Sequence, residues 1–237
     1  MRSRRVPAVA EFRSGQPDAD LATPPAVKIC GVTRSRDALV AESLGAGYVG
    51  MILSGGFERS VTTEVATAIT SSLDIKTVAV LVDEAVEAAV LVAETVGVDV
   101  LQLHGSEPEG VVAELRSAGD WLVWKALRLK EPHDLERGLQ RYGASVDGLL
   151  LEGWHPSKVG GSGVALAWEE FAAARDGFPE GVVLIVAGGL TPGNVRDAVS
   201  LLCPDVVDTS SGVEFAVGIK DPGLVQAFVK NARGERG

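Results

Sequence analysis

Cysteine is almost absent from this sequence: among 237 residues only Cys30 and Cys203 carry a thiol, and they lie far apart. Two distant thiols make no disulfide framework. Long apolar runs are also lacking, and no stretch approaches the roughly 20 residues needed to span a bilayer. Basic charge is outnumbered, with 22 Lys and Arg against 32 Asp and Glu and a formal net charge of -10. That balance argues against nucleic acid or an anionic membrane as the main partner. It leaves room for a small anionic ligand, because a few local donors can outweigh the global field. No His, Cys, Asp and Glu cluster has metal-ligand spacing, and no dinucleotide fingerprint follows the first apolar run. The opening holds Arg2, Arg4 and Arg5, but Asp18, Asp20, Pro24 and Pro25 interrupt it before any apolar core develops. It therefore reads poorly as a secretory signal. Residues 1–26 read as a disordered extension or a start codon placed too early, and a cytoplasmic location is the default expectation.

What is there is an alternation. The apolar share, 46%, is that of a soluble globular protein, and the length is ample for a sizeable core. Runs rich in Val, Ile and Leu at 27–30, 48–53, 77–82, 100–104, 122–127, 148–152, 182–187 and 206–209 read as strands covered on both faces. Between them, 35–44, 63–72, 84–96, 108–118, 132–142, 168–175, 192–202 and 222–232 read as helices, with polar or Pro starts and Gly stops. Eight strands and eight helices in alternation predict an α/β fold, a single (β/α)8 TIM barrel over residues 27–237. A doubly wound open sheet is the structural rival. No internal linker or short-period repeat divides the chain.

In such barrels the chemistry sits at the C-terminal ends of the strands. Gly188-Gly189 follows the seventh run, just before Thr191-Pro192, and Ser210-Ser211-Gly212 follows the eighth. Glycines let backbone N–H groups approach an anion, and the loops after strands seven and eight are the usual phosphate site. Gly188, Gly189, Ser211 and Gly212 are therefore candidate phosphate binders, although tight turns alone would use the same residues. Cys30 ends the first run near Lys28; a thiolate there could act as a base, and a small buried hydrophobe is the plain alternative. Cys203, after a helix and away from that face, reads as structural. His104 is a candidate acid–base or hydrogen-bonding group. Arg59, after a Gly-rich loop, could clamp a carboxylate bidentately. Glu152 ends an apolar strand, where partial burial could make it a general acid.

Five motifs occur in order: Lys28-Ile29-Cys30-Gly31-Val32-Thr33, Gln102-Leu103-His104-Gly105, Gly160-Gly161-Ser162-Gly163, Ala187-Gly188-Gly189-Leu190 and Asp208-Thr209-Ser210-Ser211-Gly212-Val213-Glu214. Together they resemble the phosphoribosylanthranilate isomerases, from about Val27 to the final helix. The resemblance implies an Amadori rearrangement in tryptophan biosynthesis, with no cofactor and no metal. It maps the general base onto Cys30 and the general acid onto Glu152. It puts the anthranilate carboxylate on Arg59, and the phosphate on the amides around Gly188, Gly189, Ser211 and Gly212. His104 and Asp208 are expected to contact substrate. The partner implied is a small phosphorylated molecule, met by a monomer or homodimer. Two departures stand out. Glu152 replaces the family's aspartate, lengthening the arm by one methylene, roughly 1.5 Å. The loop Ser54-Gly55-Gly56-Phe57-Glu58-Arg59 replaces the more usual Ser-Pro-Arg. Two rivals remain: a related sugar-phosphate isomerase of histidine biosynthesis, and a barrel that binds a phosphorylated ligand without catalysis.

Overall fold

A computed structural model describes residues 23–153, 168–172 and 174–235. Eight parallel strands close on themselves in chain order: β1 (Ala26–Ile29), β2 (Tyr48–Ile52), β3 (Lys76–Leu81), β4 (Val100–Leu103), β5 (Leu122–Leu129), β6 (Gly148–Gly153), β7 (Val183–Val186) and β8 (Val206–Thr209). The barrel closes where β1 pairs with β8, Lys28 opposite Asp208 and Ile29 opposite Thr209. The open sheet is thereby excluded. Ala26 donates its N–H to the Asp205 carbonyl at 2.9 Å and pairs with Val206, so β1 begins one residue inside the stretch assigned to the extension. Residues 1–22 of that extension, and the Gly160–Gly163 motif, lie outside the described residues.

Seven α-helices are seen among the described residues: α1 (Ser35–Ser43), α2 (Thr63–Thr70), α3 (Val86–Val96), α4 (Glu109–Ser117), α5 (Pro132–Tyr142), α6 (Val195–Leu202) and α7 (Pro222–Ala232). Their ends follow local chemistry. Gly97 closes α3 in the left-handed conformation, which glycine adopts without a Cβ clash. Asp221 caps α7, its side chain accepting from the Leu224 N–H. The helix expected at 168–175 is a correction: the chain there forms two 3₁₀ turns, Trp168–Phe171 and Ala174–Gly177. Trp168 and Phe171 are both buried and three residues apart. A 3₁₀ turn stacks such a pair on one face, and Gly177 and Pro179 then stop the helix from lengthening. The helix expected from 192 begins instead at Val195, because Asn194 Oδ1 accepts from the Thr191 N–H and folds Pro192-Gly193 into a turn.

The pleat of each strand splits its side chains into two cores. One set faces the helices. It includes Val27, Ile29, Val49, Met51, Leu101, Leu103, Leu149 and Leu151, together with Phe228 and Val225 of α7. The other set fills the barrel: Val78, Val100, Trp124, Ala126, Leu150, Ile185, Ala187 and Val206. Trp124 packs against Tyr48 with ring centroids 5.2 Å apart and the rings tilted by 56°. Moving up the same inward rows, apolar residues give way to Lys28, Cys30, Gln102, His104, Glu152 and Asp208. Packing below therefore fixes the height and direction of the polar groups above.

A hairpin outside the eight strands expected from sequence follows β8. Its strands are β9 (Glu214–Ala216) and β10 (Ile219–Lys220). α7 seals the barrel beside β1, with Phe228 fully buried. Phe228→Ala is expected to cost about 3–5 kcal/mol, as aromatic truncations in cores do. Urea denaturation should show the lower midpoint.

Candidate active site

Nine residues singled out in the sequence line one cavity of about 440 Å³: Cys30, Arg59, His104, Glu152, Gly188, Gly189, Asp208, Ser211 and Gly212. It opens at the C-terminal ends of the strands, as the topology requires. Gln102 also lines it.

Cys30 stands just past β1, two residues from Lys28, so both point inward. The Lys28 ammonium is fully buried and forms a 3.0 Å ion pair with Asp208 on the neighbouring strand. Burial pulls the Lys28 pKa down, but Asp208 and Cys30 outweigh it and hold the amine above its ordinary value. The Cys30 thiol is pushed up: burial raises it, and the adjacent Lys28 charge only partly offsets that. Room for the pair comes from Gly50 on β2. A Cβ there would meet the Cys30 sulfur at 2.9 Å and the Lys28 Nζ at 3.1 Å.

Across the cavity, the Glu152 carboxylate is nearly closed off from solvent. Its Oε1 lies 2.8 Å from His104 Nε2, and His104 Nδ1 lies 3.1 Å from the Gln102 amide nitrogen. The expected contact between His104 and substrate is therefore not free to form through its ring nitrogens, because both face protein groups. Asp208 has a similar prior partner in Lys28.

Arg59, in the β2–α2 loop, differs from the free clamp that the sequence suggested. Its Nε and Nη2 already bond the two carboxylate oxygens of Glu214 on β9, at 2.8 and 2.7 Å. Lys220 of β10 joins the same carboxylate at 2.8 Å. A guanidinium has five N–H donors in a fixed fork. Glu214 takes two and fixes the plane, and Nη1 remains for a ligand; its carboxylate neighbour is the exposed Glu58, 4.0 Å away. Burial would raise the Glu214 pKa, but the bonds from Arg59 and Lys220 dominate and lower it to about 2.

On the opposite rim the backbone turns toward the cavity. Gly188 and Gly189 have φ of 85° and 66°, a left-handed run open to glycine. Among the described residues no protein group accepts from either N–H. Thr209 Oγ1 donates to the Leu190 carbonyl at 2.8 Å and ties this loop to the turn Ser211–Val213. Cys203, read as structural, is exposed at the C-terminus of α6, far from this rim. Lys28, Gln102, Glu214 and Lys220 were not assigned roles from sequence. The first two share strand parity with Cys30 and His104, a signal that was available.

A carboxylate with a depressed folded pKa stabilises the fold above its unfolded value, about 4.3, and that stability is lost as pH falls through the folded value. For Glu214 the loss runs from about 4.3 down through about 2. Glu214→Gln is expected to be less stable than wild type at neutral pH, with the gap closing across that window. Denaturation midpoints at pH 7, 4 and 2 check this, and a constant gap would contradict it.

Both the sequence and the fold match one family of known proteins. The family model described as N-(5'phosphoribosyl)anthranilate (PRA) isomerase matches residues 27–231. The N-(5'-phosphoribosyl)anthranilate isomerase of Thermoanaerobacter sp. (strain X514) is 37% identical over 212 residues, covering 89% of this chain and 98% of that protein. The crystal structure of phosphoribosyl anthranilate isomerase from Thermotoga maritima superposes with a TM-score of 0.81 at 35% identity, covering 89% of this chain and 99% of that one. Another solved structure, of phosphoribosyl anthranilate isomerase in complex with reduced 1-(o-carboxyphenylamino)-1-deoxyribulose 5-phosphate, gives a TM-score of 0.78 at 34% identity, over 89% and 99% of the two chains. The chain therefore belongs to the N-(5'-phosphoribosyl)anthranilate isomerase family.

Proposed function

We infer that the chain converts N-(5-phosphoribosyl)anthranilate to 1-(o-carboxyphenylamino)-1-deoxyribulose 5-phosphate, an isomerisation in tryptophan biosynthesis. The observation that carries the reading is one cavity with a thiol just past β1 and a carboxyl group on β6 facing it from different strands. The substrate phosphate fits the N–H groups of Gly188, Gly189, Ser211 and Gly212. The anthranilate carboxylate fits the remaining Nη1 donors of Arg59. The reacting sugar carbons then fall between Cys30 and Glu152. The partner is this small phosphorylated molecule, and the chain acts as a monomer or homodimer. No helix among the described residues is long and apolar enough to cross a membrane.

Chemistry follows from proton placement. Glu152, entering as the neutral acid, gives its proton to the ring oxygen. The C1–O bond breaks as the anilino nitrogen lone pair forms a protonated Schiff base. The Cys30 thiolate takes the C2 proton, and that electron pair becomes the C1–C2 double bond while the iminium is neutralised. The resulting enolamine tautomerises to the ketone, so no proton is gained or lost overall. Lys28, kept charged by Asp208, stabilises the thiolate that Cys30 must become. It is the nearest cation to a sulfur that burial would otherwise keep neutral.

Loss of anthranilate-type fluorescence when the protein meets freshly made substrate tests the activity. Absence of decay in folded protein that still binds the reduced product analogue would favour the non-catalytic barrel. Cys30→Ala and Glu152→Gln should each lower kcat by about 10²–10⁴-fold, the usual contribution of a positioned acid or base, with folding intact by circular dichroism.

The direction of the Cys30 shift adds a pH signature. The base works as thiolate, so a raised thiol pKa means that its limb of kcat/KM rises with pH. That limb should level only above the ordinary thiol value of about 8.5. A thiol-dependent limb complete by pH 7 would show that Cys30 is not the base in this electrostatic setting.

A further inference from the structure

We propose that His104, oriented by Gln102, is a positioning residue that fixes the Glu152 carboxylate and strengthens its hold as Glu152 gives up its proton. The proposal rests on the reading of Glu152 as the acid. It departs from the substrate-contact role that the sequence suggested for His104.

The geometry runs inward along one row. Gln102 and His104 are two residues apart at the end of β4, so both face the barrel interior. Gln102 is fully buried, and its amide nitrogen meets His104 Nδ1 at 3.1 Å. An amide nitrogen can only donate, so Nδ1 accepts and the ring proton sits on Nε2. Nε2 then donates to Glu152 Oε1 at 2.8 Å. Oε1 is occupied, and among the described residues nothing bonds Oε2. The transferable proton is therefore carried on Oε2, while Oε1 acts as the carbonyl oxygen of the neutral acid.

This arrangement answers the extra methylene. A glutamate arm has one more rotatable bond than aspartate and more positions for its carboxyl group. A buried donor at a fixed place on β4 selects one of them. Misplacement of a reacting group by about 1 Å can cost on the order of 100-fold in rate. The contact also acts differentially. Before transfer, Nε2–H donates to a neutral acid; after transfer it donates to an anion, and such charge-assisted bonds are roughly twice as strong. A bond that tightens as charge develops lowers the barrier instead of merely binding substrate.

A kinetic cycle separates this role from a structural or substrate-binding one. His104→Ala, Glu152→Gln and the double variant are compared in kcat and KM. His104→Ala is expected to lower kcat about 10- to 100-fold, the cost of a misplaced group, with KM nearly unchanged. In the Glu152→Gln background the same change is expected to have no further effect on kcat, because His104 acts through the group already removed. His104→Gln, whose amide can still donate to Oε1, should recover part of the loss. Nitrogen-15 NMR should show His104 protonated on Nε2 in wild type, with that tautomer preference lost in Gln102→Leu. An equal loss of kcat in both backgrounds, a loss confined to KM, or a ring proton on Nδ1 would overturn the positioning role while leaving Glu152 as the acid. Near-normal turnover of Glu152→Gln alone would remove the acid reading itself, and His104 with it. Should His104→Ala fail to fold, the kcat of Gln102→Leu and the tautomer measurement decide the question.

Discussion

Everything at the mouth of this barrel depends on the pairing of β1 with β8. Closure leaves no free edge and fixes which face of each strand looks inward. With Lys28 set opposite Asp208, the pleat carries Cys30 to the rim on one side. Continued around the ring, the same parity turns Gln102, His104 and Glu152 toward a common space. A one-residue slip in any strand would send its chemistry into the layer beneath the helices and bring an apolar side chain into the cavity. The bulky lower layer around Trp124 and Tyr48 guards against such a slip, since the residues of the opposite parity would not fill it.

The second constraint is electrostatic. A chain with a net charge of -10 must still attract a ligand bearing a phosphate and a carboxylate. It does so with charge arranged locally. Lys28, Arg59 and Lys220 converge near the mouth, and two carboxylates, Asp208 and Glu214, are set among them. The carboxylates hold the cations at fixed positions, and Lys220 shows why that matters: burial pulls its pKa down, and Glu214 acts against that pull. The proposed phosphate end would rely on backbone N–H groups, which no change of pH can discharge.

Much of this was legible in the sequence. The eight strands stood out because strands buried on both faces are nearly continuous runs of Val, Ile and Leu. Helix starts such as Pro132 and Pro222 coincide with those in the structure because proline's missing donor and fixed φ suit that position. The 3₁₀ turns at 168–177 were misread because a Trp and a Phe three residues apart fit both helical periods. The β9–β10 hairpin was invisible for a different reason: Phe215 is 81% exposed and Val217 53%, so its apolar residues face outward and mark no core. The partners of the candidate site residues were the least legible part. Glu214 for Arg59, and His104 for Glu152, are separated by 155 and 48 residues. Such distant meetings are decided by barrel closure and loop path, which no local pattern encodes.

The two cysteines, so far apart in the chain, end up in opposite situations. Cys30 is held beneath the cavity mouth among strands, while Cys203 closes α6 just before β8 enters the barrel from below. A maleimide reagent thus meets Cys203 directly at the surface, while it reaches Cys30 only through the cavity that Cys30 lines. The protein carries a natural single-point tether. Coupled through Cys203 to a surface or a fluorophore, it would present its open mouth to solution.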